Sequence, residues 1–292
     1  MIRLSWVVFV HAVLLSAESV VIELLTTRLA ISPLVIAGNS IMIAGAVLIA
    51  ISAANNKKQT ISIFRAWKYL VPASILIAIG VYFWYDSVTN VGASKEGLLA
   101  GPLEVVVILI LARVLLSERL GRIQTAGAAT ALLGFFAAVL SAGSVELLLT
   151  WGDVEAVLSA VSFGTGIIFV TRLTRKHSAL QVTGASLFIS GLFLAAILWT
   201  SAPTIAASDW TILLAFSILP LAAALTYVYG LARIGASMTS VIGSFSILLT
   251  ILFQVGLLVF DVDVILPSNI PLAILGGSLG ILGIYLVHRK GN

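Results

Sequence analysis

Glu18 and Glu104 are the residues of this chain best suited to chemistry, because each is a carboxyl set inside a run of apolar residues. A charged side chain at the centre of a bilayer costs roughly 2.5–3.5 kcal/mol on insertion scales, so an acid there marks a solute or proton pathway, or a buried bond to another helix. His11 precedes Glu18 by about two helical turns and shares its face. Glu104 follows Gly101-Pro102, and Gly97, Gly101, Glu104 and Ile108 form one stripe at helical spacing. Pro102 removes one helical hydrogen bond. Backbone opened in this way at membrane depth is tolerated where it lines protein or a watery cavity, and glycines four apart permit close helix approach. The chemistry expected of Glu18 and Glu104 is reversible binding of a cationic group or exchange of a proton. Glu23, on another face of the same run, reads as a carboxyl bonded to a neighbouring helix. Arg113 reads as snorkelling towards the membrane surface.

Enzyme motifs are weaker. Gly276-Gly277-Ser278-Leu279-Gly280 matches GxSxG literally, but a nucleophile elbow needs a strand-to-helix turn, and this copy lies in an apolar, glycine-rich run. There is no HExxH and no GxxxxGK[ST]. We therefore expect no catalytic residue, no metal and no cofactor, and movement of a solute driven by a gradient or passive.

The elements that must position the two acids follow from composition. The 292 residues are 60% hydrophobic and only 10% charged, with a mean hydropathy of +1.17, against about a quarter charged in soluble proteins. Membrane lipid is the expected surrounding. Nucleic acid is set aside as a partner, because the basic balance has a simpler origin in cytoplasmic loops. Ten segments are long and apolar enough to span: Leu4–Leu25, Pro33–Ala53, Tyr69–Ser87, Ala93–Leu116, Gln124–Leu140, Val154–Arg172, Leu180–Thr200, Trp210–Leu231, Ser237–Phe260 and Ile270–Val287. The first resembles a signal peptide at its start, yet its apolar run continues and reads as a retained helix. With the N-terminus in the cytoplasm, Arg3, Lys57, Lys58, Arg65, Lys68, Arg119, Arg122, Arg172, Arg175, Lys176, Arg233, Arg289 and Lys290 fall on the cytoplasmic side. Only Arg28 and Lys95 fall on the outer side, so both termini are expected in the cytoplasm. The basic loop Asn55–Lys68, with Ile61, Ile63, Phe64 and Trp67, reads as a helix at the headgroup interface.

The chain also repeats itself. Gly92-Ala93-Ser94 recurs as Gly235-Ala236-Ser237, and the same offset sets Trp84 against Tyr227 and Glu118 against Asp261. A slightly larger offset sets Ser16 against Ser162, Ser32 against Ser178 and Gly45 against Gly191. The expected fold is an all-α integral membrane protein of ten transmembrane helices, arranged as two inverted five-helix repeats over residues 1–145 and 146–292. In such folds the solute site lies near the midplane, where the repeats meet.

Each half resembles an EamA-type unit of the drug/metabolite transporter superfamily. The first half carries the likeness in GASKEGLLAGPLEVVVILILARVLLSERLGRIQTAGAATALLGFFAAV, the second in ARIGASMTSVIGSFSILLTILFQVGLLVFD and AILGGSLGILGIYLV. The resemblance implies a central cavity lined by helices 1–4 and 6–9, with helices 5 and 10 at the periphery. Phe245 stands where a second proline would be expected, Asp261 replaces the second closing Glu, and Asn39 stands where an arginine is common. Glu18 and Glu104 lie outside the common pattern.

The expected solute or proton residues are therefore Glu18, Glu104, Asn39, His11, Trp84, Tyr85, Tyr227 and Ser246. Pro102, Gly97, Gly101, Glu118 and Asp261 are expected to shape or gate the path. The partner expected is a small organic solute, such as an amino acid, a metabolite or an amphipathic cation. It would be moved across the cytoplasmic membrane by alternating access, as an exporter with possible use of protons. The alternative is a membrane scaffold that transports nothing.

Overall fold

The computed structural model describes residues 2–116, 121–141, 150–201 and 207–288, and its regular structure there is entirely helical. The helices are α1 (Ile2–Thr27), α2 (Pro33–Ser62), α3 (Trp67–Val91), α4 (Ala93–Leu116), α5 (Arg122–Ser141) and α6 (Trp151–Thr174). They continue with α7 (Ala179–Ser201), α8 (Ala207–Phe216), α9 (Ile218–Gly243), α10 (Phe245–Leu258) and α11 (Ile270–His288). Among the described residues, five helical runs are long and apolar enough to cross a membrane: Trp6–Thr27, Pro33–Val91, Trp151–Thr174, Ala179–Leu198 and Asp209–Arg233. Shorter apolar helices include Phe245–Leu258 and Ile270–Gly283. Large apolar side chains such as Trp6, Leu133, Phe136, Leu252 and Tyr285 point outwards, as a lipid-solvated surface requires.

Local chemistry sets the boundaries. Pro33 opens α2 in its first turn, where its missing N–H is no loss. Within α2, Asn56 leaves helical geometry (φ −160°, ψ 93°), and its side chain accepts from Gln59 N at 3.1 Å to restart the helix. The expected interfacial helix is thus a kinked end of α2 followed by the 3₁₀ turn Ile63–Ala66. Ile63 is buried there, while Ile61, Phe64 and Trp67 stay exposed. Gly92, at φ 86°, ends α3 and lets α4 start at once. Thr150 and Asp153 form a capping box that starts α6. Asp261 (φ 55°) ends α10: Val262 N donates to Leu257 O and Asp261 N to Leu258 O, each at 3.1 Å. This is a Schellman stop, with Asp at the left-handed position that usually takes glycine.

Two expected spans are drawn differently. Trp210–Leu231 is interrupted at Ser217, between α8 and α9. Pro220 is the cause, since its ring nitrogen cannot donate back to Phe216. Ser237–Phe260 is interrupted at Ser244, between α9 and α10. The chain reverses within α9, because a methyl group built on Gly230 would lie 2.9 Å from Thr239 Cγ2. Nine residues of straight helix would separate those positions by about 13.5 Å.

The helices pack mainly as α5 with α11, α2 with α7, α3 with α6, and α1 with α9. Exchanging first-half helices for their second-half matches leaves this list unchanged: the first two pairs map onto themselves and the last two onto each other. Close approach is built from small residues. A side chain at Gly45 would strike the Phe188 backbone, and one at Gly191 would strike Met42. Gly134 of α5 lies against Gly276 and Gly280 of α11, so the GxSxG stretch is a helix-packing surface.

Candidate functional site

A cavity of about 260 Å³ lies between the packed pairs. Residues from α1, α2, α3, α4, α6, α7, α9 and α10 line it and, among the described residues, none from α5 or α11. Its wall is mostly aliphatic and aromatic, including Leu15, Ile41, Val81, Phe163, Ile167 and Val228. Glu18 and Glu104 both line this one space, with His11, Trp84, Tyr227, Ser246, Gly97 and Gly101.

Each acid is held differently. Glu18, 2% exposed, accepts from the Tyr85 hydroxyl at 2.6 Å. Tyr85 is fully buried and stands behind Glu18 rather than in the cavity wall. No described side chain donates to the Glu104 carboxyl. The third acid is Glu96, 4% exposed, which lines the same cavity. The neighbouring residues Trp84 and Tyr85 thus stand beside two acids: Tyr85 bonds Glu18 from behind, and Trp84 lines the cavity with Glu96. Glu96 is also close enough to Glu104 for their charges to interact. Among the described residues no lysine or arginine lines the cavity.

Sequence reasoning gave Glu96 no role. The signal was present: Glu96, Gly97, Ala100, Gly101, Glu104 and Val105 all line the cavity, so the exposed face of α4 is two adjacent rows wide. The stripe Gly97–Gly101–Glu104 is one of these rows, and Glu96 and Ala100 stand on the other.

His11 lies on Tyr227 with ring centroids 4.9 Å apart, and its Nδ1 bonds the Ala223 carbonyl at 2.9 Å. A carbonyl can only accept, so Nδ1 carries the proton and neutral His11 presents Nε2 as an acceptor. Ser246 contributes from the break between α9 and α10. Its carbonyl accepts from Ser16 Oγ at 2.9 Å and from Thr250 Oγ1 at 2.8 Å. Pro102 is buried at the α4–α11 contact, 2.9 Å from the position a side chain on Gly280 would take.

The remaining expected residues lie elsewhere. Asn39 is buried outside the cavity lining and donates to Val35 O at 2.9 Å. Asp261 is exposed at the end of α10, and Glu118 lies outside the described residues. Glu23 bonds several elements at once, as expected of a structural carboxyl. It accepts from Ala93 N at 2.9 Å, Gln254 Nε2 at 2.6 Å and Ile265 N. At the same end of the bundle, Lys95 pairs with Asp153 at 2.7 Å, both mostly buried. Asn90 donates to Glu155 and Ser87 to the Gly152 carbonyl, tying α3 to the start of α6.

The arrangement can hold a small molecule with an apolar body and a positive group. It offers no nucleophile paired with a base, and no group of three or more metal-ligating side chains stands together among the described residues. A family model described as the EamA-like transporter family matches residues 4–140 and again residues 150–289. No curated protein matches the chain. Twenty-four chains of solved structures match; one of them, a crystal structure, is similar over 94% of this chain and 95% of its own, with a TM-score of 0.65 and 19% identity. At that identity the likeness concerns the fold.

Proposed function

This chain belongs to the EamA-like transporter family, and from that premise we propose that it is a secondary transporter of a small amphipathic cation, an amine with an apolar body. The apolar helices and the family together mark a multi-pass membrane protein. Ten spans in two inverted repeats, residues 1–145 and 146–292, account for the exchange-symmetric helix pairing and the one-sided cations. Both termini are then cytoplasmic, and the direction is export across the cytoplasmic membrane by alternating access.

The observation that carries the reading is Glu104. Among the described residues its carboxyl has no side-chain donor, and the cavity is lined by two further acids and by no lysine or arginine. A charge in such a place is stabilised only by a counter-charge or a proton. A cationic solute supplies the first when bound, and a proton supplies the second when it leaves. This alternation is the basis of proton-coupled exchange. The aliphatic wall accommodates the solute's body, and Trp84, Phe163 and Tyr227 add aromatic rings to it, a ring type that attracts cations.

A scaffold that moves nothing would bury Glu18 and Glu104 in a dry helix interface. Their shared cavity supports transport over that alternative. The test is uptake of labelled organic amines into proteoliposomes under an imposed pH gradient, with neutral and anionic compounds of similar size as controls. Gradient-dependent uptake restricted to the amines is expected. Uptake of the anions, or uptake indifferent to Glu104→Gln, removes the assignment.

A further inference from the structure

Glu18 and Glu23 are the same residue type on one helix, five positions apart, and they sit on opposite sides of a closure. Along α1 the cavity is lined as far as Ser19. One turn further on, Glu23, Thr27 and Arg28 line a separate depression with Asp263, Val264 and Ile265. The layer between these two spaces is organised by the Glu23 carboxyl. It accepts from the first amide of α4 (Ala93 N), the amide of Gln254 on α10, and Ile265 N in the segment between α10 and α11.

The chemistry of this layer is specific. All three partners of the Glu23 carboxyl, two backbone amides and the Gln254 side chain, are donors, which suits a carboxylate with two accepting oxygens and not an amide. Gln254 is turned to serve it: Nε2 reaches both Glu23 and Ile265 O (3.1 Å), while Oε1 is buried without a partner. Ile265 also packs where a side chain on Gly92 would stand, so the α10–α11 segment lies directly on the α3–α4 corner. Over the depression, Arg28 and Asp263 form a loose, exposed pair at 3.8 Å. Two elements of the first repeat and two of the second are therefore joined through one side chain.

We propose that Glu23 is the positioning residue of an outer gate. Its carboxylate holds the two repeats together at the outer mouth, and the cavity opens to that side only when these bonds let go. This rests on the transport reading and the orientation given above. It assigns Glu23 no contact with solute; Glu23 acts by setting which side the cavity faces.

The chain has no cysteine, so a single reporter needs no background removal. Gly97 is the place for it, because it lines the cavity and a side chain built there meets nothing within 4 Å. In Gly97→Cys protein reconstituted with known sidedness, a membrane-impermeant maleimide is offered to the outer or the inner face. Labelling from outside is expected to be slow with Glu23 intact and at least about tenfold faster in Glu23→Gln, as losing a charge-assisted bond implies. Glu23→Asp keeps the carboxylate and should recover part of the closure. Gln254→Met removes one donor only and should raise the rate a few-fold, which keeps the test decisive if Glu23→Gln does not fold. An outer-face rate that ignores both substitutions, with inner-face labelling intact, overturns the gate and leaves transport standing. Silence from both faces in every variant overturns the gate together with the accessible cavity.

Discussion

Two repeat-related stretches meet at the cavity, and they build its wall by opposite means. On α4 the stretch is Gly97–Glu104, with a proline, and the helix runs through it unbroken. In the second repeat the matching stretch runs from Ser240 to Ile247; it has no proline, and the helix is interrupted at Ser244, which matches Gly101. The first stretch presents a carboxyl side chain. The second presents backbone, a Ser246 carbonyl bonded by Ser16 of α1. The two touch directly, since a side chain on Gly101 would come 2.9 Å from Ile247 Cδ1. At this matched pair the proline does not mark the break: α4 runs on through Pro102, and α9 stops at Ser244 without one. One repeat lines this part of the cavity with a carboxyl, the other with a serine and apolar side chains.

That contrast can be attacked at several points. Glu104→Gln should have the largest effect, lowering amine transport roughly 10- to 100-fold through loss of an interaction worth about 1.5–3 kcal/mol. The matching change Ile247→Val should cost about 0.5–1.5 kcal/mol of stability while leaving uptake rates near the parent. Equal losses of transport from the two would end the division of labour. Gly101→Val should come next, because the added methyls strike Ile247. An overpacking cost of about 1–3 kcal/mol should appear as a lower unfolding temperature in detergent. Tyr85→Phe removes the donor behind Glu18, and about 1–3 kcal/mol of destabilisation should be visible by thermal unfolding. Ser16→Ala should be the mildest, at about 0.5–1.5 kcal/mol, with unchanged affinity for amines by isothermal titration; a lost affinity would give the second repeat a chemical role.

Much of this was legible in the sequence because membrane burial makes charge conspicuous. Glu18 and Glu104 stand out in apolar runs, and they do line one cavity. Small residues at constant offset, such as Gly45 and Gly191, do sit at a helix crossing. Three things were not legible. Glu96 lay beside the row that was read, and burial cannot be told from a helix end by position alone. The interruption at Ser217 follows from Pro220, a residue that apolar length counting passes over. The partners of Glu23 come from residues as far apart in sequence as Ala93 and Ile265, and no local pattern announces such a meeting. Asn39 shows the converse: a polar residue at membrane depth that satisfies itself on its own helix.

The crossings of α2 with α7 and of α5 with α11 map onto themselves when the repeats are exchanged. An interface of that kind is isologous, the form taken by two copies of one chain related by a two-fold axis. A single five-helix chain able to insert in both orientations would meet its own copy through the same two glycine-rich surfaces, and joining the copies end to end would add no new contact. Pieces corresponding to residues 1–145 and 146–292, expressed as separate chains, should therefore find each other in the membrane and restore the joined cavity.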